Sequence, residues 1–173
     1  MENKITTPIT KGLIITLIGA VLDLIAGFAH IKFEDWWRWV PSIVTFGAII
    51  WACIYYANQM EHNVTFGNIF ADGFKTSAVV ACLSLIYFIL SVYVIFPESR
   101  EILMQKAREK MEATPNINSE QVEQGMEFYK RSFLTLSIIG IILVTLFIGV
   151  IASLIGAAVA KKNPVTPFDK PHA

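Results

Sequence analysis

The sequence predicts an all-α fold: a four-helix transmembrane bundle with an extramembrane helical hairpin between its third and fourth spans. Three observations predict it. The 173 residues are 54% hydrophobic and only 16% charged, with a mean hydropathy of +0.55, whereas about a quarter of an ordinary soluble domain is charged. Four stretches, 12–31, 40–57, 76–96 and 132–160, approach or exceed the roughly 20 apolar residues that cross a bilayer, and together they make up about half the chain. Between the third and fourth lies a segment, 97–131, dense in Glu, Lys, Arg and Gln. A membrane β-barrel would instead read as ten-residue segments of alternating polarity. Residues 1–173 therefore read as a single integral membrane domain. The balance of 14 basic and 14 acidic residues implies no nucleic-acid partner, and two cysteines are too few for a disulfide framework. These sums exclude a disordered chain, a secreted miniprotein and a typical water-soluble enzyme.

The first stretch, 12–31, follows Lys4 and Lys11 and ends near the small residues Gly27 and Ala29, features shared with a signal peptide. It is long for a signal core and is interrupted by Asp23, so it reads as a retained helix. Gly12, Gly19, Asp23, Ala26 and His30 fall on one of its faces. Asp23 is the one charge in the four stretches, near the middle of the first, where a carboxylate costs about 2.5–3.5 kcal/mol on insertion scales. The other three stretches hold no cation at matching depth, so hydroxyls are its expected partners: Ser84 and Tyr87 of the third stretch and Thr145 of the fourth. Asp23, Ser84, Tyr87 and Thr145 thus form a candidate proton or cation site. The plainer reading is a hydrogen-bonded acid that helps hold helices together.

The second stretch, 40–57, is entered through Trp36, Trp37 and Trp39 and left through Tyr55 and Tyr56, the aromatic belts expected at headgroup depth. The third, 76–96, carries Ser77, Ala81, Ser84 and Ser91 on one stripe and stops at Pro97, which can open a new helix. Cys53 and Cys82 lie a few residues from the same membrane face and read as small apolar residues rather than as a disulfide or metal site.

Residues 98–113 are rich in good helix formers, with Leu103, Met104, Ala107 and Met111 as a narrow apolar stripe, and Thr114, Pro115 and Asn116 break the pattern. Val122, Met126, Tyr129 and Phe133 then recur at helical spacing. Asn118 or Ser119 is a suitable N-cap, so the fourth helix should begin near residue 119, ahead of its apolar stretch. Residues 97–131 form the expected hairpin, either a solvated connector or a surface for a protein partner. The fourth stretch, 132–160, steps through Gly149, Ser153, Gly156 and Ala160 on one face, a helix-packing stripe of small residues. Its simplest use is within the bundle, and a homodimer through the same face is the alternative.

Four spans put both termini and the 58–75 loop on one side, with Lys4, Lys11, Lys75, Lys161, Lys162 and Lys170. The other side has more basic residues, diluted by glutamates in 97–131. The unopposed Lys161–Lys162 pair and the two N-terminal lysines favour termini in the cytoplasm. No phosphate-binding glycine loop, nucleophile elbow, paired-histidine motif or CxxC is present. The sequence therefore implies no catalytic residue, cofactor or metal.

Residues 66–75 (FGNIFADGFK), residues 151–162 (IASLIGAAVAKK) and the charged insert resemble a family of uncharacterised four-helix inner-membrane proteins of Bacteroidota that carry a domain of unknown function. The resemblance implies a bacterial inner-membrane location and brings no activity or site residue. Two functions follow as expectations. The first is a non-enzymatic accessory or scaffold subunit whose 97–131 segment meets a protein partner. The alternative is a small proton-coupled transporter using Asp23.

Overall fold

Thr7 opens the first helix by accepting a hydrogen bond from the Thr10 N–H at 3.3 Å, and Pro8 supplies a first residue that needs no donor. The computed structural model describes residues 5–115 and 117–163. Lys4 and Lys170, which bear on orientation, and Asn116, part of the break before the last helix, lie outside the described residues. Among the described residues the chain is all-helical, with five α-helices and no strand. They are α1 (Pro8–Phe28), α2 (Val40–Gln59), α3 (Phe66–Leu90), α4 (Ser99–Glu112) and α5 (Ser119–Val159). Four of them, α1, α2, α3 and α5, are long and apolar enough to cross a membrane, which marks the chain as a membrane protein.

The helix ends follow local chemistry. α1 stops in a Schellman motif: the Ile31 N–H reaches back to the Ala26 carbonyl at 3.0 Å and the His30 N–H to that of Gly27 at 3.1 Å. His30 takes the left-handed position at φ 58°. α2 ends the same way, with Glu61 N–H on Asn58 and His62 N–H on Ala57, and both Glu61 (φ 50°) and His62 (φ 64°) are left-handed. α3 begins at Phe66, not near Thr76, because Asp72 and Lys75 lie inside the helix. Its far end widens into a π-turn, Ser91–Ile95, closed by the Phe96 N–H on the Ser91 carbonyl at 2.7 Å. Phe96 then leaves helical geometry (φ −132°, ψ 70°), as expected before Pro97. Asn118 and Gln121 form a reciprocal capping box at the start of α5: the Gln121 N–H donates to Asn118 Oδ1 at 2.9 Å and the Asn118 N–H to Gln121 Oε1 at 3.0 Å.

The chain divides into two compact units. One holds the described residues up to Leu83 and those from Leu143 on. Its core is Ile15, Ile49, Ala52, Cys53, Val80, Ala152 and Ala157 with their neighbours. The other, Ser84–Ile142, buries Val92, Phe96, Val122, Met126 and Phe133. Phe133 meets Phe88 at 6.5 Å and stands edge-on to Tyr129 at 5.9 Å.

Candidate functional site

The strongest polar feature of the first unit is an ion pair between Lys11 of α1 and Asp72 of α3, 2.6 Å apart. Their side chains are 1% and 8% exposed. Lys11 Nζ also lies 4.9 Å from the centroid of the Tyr56 ring, supplied by α2. The residue beside Lys11 makes this contact reachable. A Cβ on Gly12 would stand 2.6 Å from Val79 Cγ1 and 3.3 Å from the Thr76 carbonyl, so only glycine lets α1 come this close to α3. Removing one partner of a buried pair leaves the other charge uncompensated, a cost of about 3–5 kcal/mol.

Sequence reasoning missed this pair because an apolar stretch is delimited by its charges. Lys11 and Lys75 bounded such stretches, so Lys11 and Asp72 were counted with the loops. Opposite charges at equal depth on two helices are invisible to a rule that treats each charge alone.

Asp23 is the second charged position, and it has a cation beside it. Its carboxylate accepts a hydrogen bond from Lys32 Nζ at 2.8 Å. Both side chains are partly exposed, at 21% and 15% respectively. Because α1 ends at Phe28, Asp23 lies about 8 Å from the helix end by the 1.5 Å rise, not at mid-span. The Schellman reversal then brings Lys32 back over the last turns. Of the expected hydroxyl partners, Ser84 and Tyr87 are half-buried residues of the second unit, and Thr145 is half-buried on α5.

The small-residue stripe of α5 is used inside the first unit. A Cβ on Gly149 would collide with the Ser77 side chain, and one on Gly156 would stand 2.7 Å from Cys53 Cβ. Ser153 and Ala160 are buried, and Ser153 sits against Gly73 of α3. Helices α2, α3 and α5 therefore meet at Cys53, Gly73 and Ser153. Cys53 is buried and Cys82 exposed, both with free thiols. Among the described residues, no group of three or more His, Cys, Asp or Glu could hold a metal ion.

One end of this unit is tied together by polar contacts. Thr6 exchanges hydrogen bonds with Gln59 at 3.1 and 3.0 Å. His62 Nδ1 lies 3.2 Å from the Lys161 carbonyl, and the Asn163 N–H donates to the His62 carbonyl at 2.7 Å. Lys162 Nζ caps α5 by donating to the carbonyls of Ala157 and Ala158.

In the second unit, Arg108 of α4 pairs with Glu112 at 2.9 Å and with Glu123 of α5. Glu112 first, then Glu123, push its guanidinium above its ordinary range. A groove of about 620 Å³ is lined by Met111, Ile117, Gln121, Gln124, Gly125 and Phe128. Phe128 is 63% exposed and Ile117 40%.

Residues 10–162 match the family described as protein of unknown function, DUF4199. The chain belongs to this family. The DUF4199 match takes in both charge pairs, the α5 stripe and the groove of the second unit. No curated protein and no solved structure matches the chain.

Proposed function

We propose that this DUF4199 member is a non-enzymatic accessory or scaffold subunit of the bacterial inner membrane, one of the four-helix Bacteroidota proteins its sequence resembles. In this reading residues 97–131 form an extramembrane helical hairpin that docks a protein partner. The observation that carries it is the groove of the second unit, where Phe128 and Ile117 are exposed beside Gln121 and Gln124. Large apolar side chains set among polar ones on an otherwise charged surface are what a partner-binding site presents. The first unit supports the same reading. Lys11, Asp72, Asp23 and Lys32 are engaged with one another, and the α5 stripe is filled from within the chain, which leaves any homodimer to other faces. The start of α1, Lys75, Lys161 and Lys162 face the cytoplasm in this reading.

Tagged protein extracted in mild detergent tests this reading through what travels with it. A stoichiometric partner is expected with the native chain and with the Asp23→Asn/Lys32→Gln pair, and lost with Phe128→Glu. Recovery of all three forms as the same clean monomer or dimer would sink the subunit reading.

The transporter reading keeps one observation in its favour: the Asp23 carboxylate lies within an apolar helix, where ionisable groups mark proton and ion pathways. Proton flux into vesicles that Asp23→Asn abolishes, with the protein still folded, would put this reading first.

A further inference from the structure

Lys11 and Asp72 are residues of the first unit, and the groove is lined by residues of the second. Lys11 is the fourth residue of α1 and Asp72 the seventh of α3, so both sit within the first two turns of helices that start at the same end of the unit. Gly12 fixes where the two backbones approach, against Thr76 and Val79. Lys11 then reaches Asp72, one turn back from Thr76 along α3. Around these residues the buried positions are apolar or small, Ile15 on α1 and Val80 and Ala81 on α3. Gly12 favours one axial setting through its close approach to Thr76 and Val79, and in lipid polar contacts between helices add to such packing.

The charges discriminate between settings. A slide of α1 by one turn, about 5.4 Å, would bring Pro8 or Ile15 opposite Asp72, neither of them a cation. Lys11 would meet Asn68 in one direction and Thr76 in the other, neither of them an anion. Only the observed setting pairs both charges and also places Tyr56 of α2 over the ammonium group. We propose that the Lys11–Asp72 pair is a register latch: it selects one axial position of α1 on α3 and does not add net stability. Buried ion pairs serve this registry role better than they stabilise, since apolar replacements of similar volume are often equally stable.

The latch is tested by a spin-label distance on the full-length chain, between the native Cys82, exposed on α3, and Leu13→Cys on the exposed face of α1. Cys53, buried, stays unlabelled. The native chain should give one narrow distance. The double variant Lys11→Met/Asp72→Leu should stay folded and give a broadened or split distribution, with components separated by about one helical turn. The charge-swapped pair Lys11→Asp/Asp72→Lys should return the single distance. A double apolar variant that keeps the native distribution overturns the latch. A double apolar variant that does not fold also overturns the latch, because the pair would then supply net stability, and so does a folded swap that keeps a broadened distribution.

Discussion

His30 holds a left-handed backbone at φ 58°, which histidine adopts more readily than most residues but less readily than glycine. A non-glycine residue in this region costs about 1–2 kcal/mol, and the position after a helix C-cap is where glycine is most enriched. His30 is exposed, so its replacement should disturb no core. His30→Gly is expected to raise stability by somewhat under that cost, since glycine also frees the unfolded chain. Thermal unfolding in detergent should show a higher midpoint for His30→Gly and a lower one for His30→Val. The same motif explains why the surroundings of Asp23 were illegible in the sequence. Lys32 lies nine positions on, beyond the three- and four-residue reach of a helical neighbour, and only the reversal at His30 brings it back. With no glycine to mark that reversal, the apolar stretch reads on to Ile31, which puts Asp23 near its centre.

Among the elements, the positions of the apolar helices were legible, and their ends less so. A rule that counts uncharged residues finds α2 almost whole, because α2 begins with Val40 and carries no charge to its end at Gln59. It truncates α3, where Asp72 and Lys75 sit inside the helix. The start of α5 was legible because capping leaves a local sign, Asn118 followed three residues later by Gln121. Asn118→Ala should cost about 1 kcal/mol, read as faster amide exchange in the first turn of α5 and not in α2. The small residues of α5 are alike in sequence and unlike in surroundings, which sets up a sharper comparison. Gly149 faces Ser77 with no room for a methyl group, whereas nothing lies within 4 Å of a Cβ at Gly140. Gly149→Ala should therefore destabilise by about 1–3 kcal/mol through overpacking. Gly140→Ala should be neutral or gain up to about 1 kcal/mol from helix propensity. Unfolding midpoints of the two variants that shift equally would contradict this assignment of the stripe.

At the scale of the molecule, membrane orientation rests on a weak count and a firm connection. Lysines and arginines alone do not favour either side, because the basic residues of 97–131 outnumber those near the termini. The count is also distorted by Lys11, which lies inside α1 and is held by Asp72. The connection is firmer: Thr6 on Gln59, and Lys161 and Asn163 on His62, hold the start of α1, the α2–α3 turn and the end of α5 at one end of the first unit. These three segments must share a side, so one labelled site reports all of them. In a Cys82→Ser background, with Cys53 buried and silent, a cysteine at Asn63 reads that side and a cysteine at Asp35 reads the other. With the termini in the cytoplasm, a membrane-impermeant maleimide applied to cells with a permeabilised outer membrane should modify Asp35→Cys at once and Asn63→Cys only after lysis. The opposite pattern would put the termini outside. It would also move the 97–131 segment, which lies between the third and fourth apolar helices, to the cytoplasmic face, so a partner for it would have to be sought among cytoplasmic proteins.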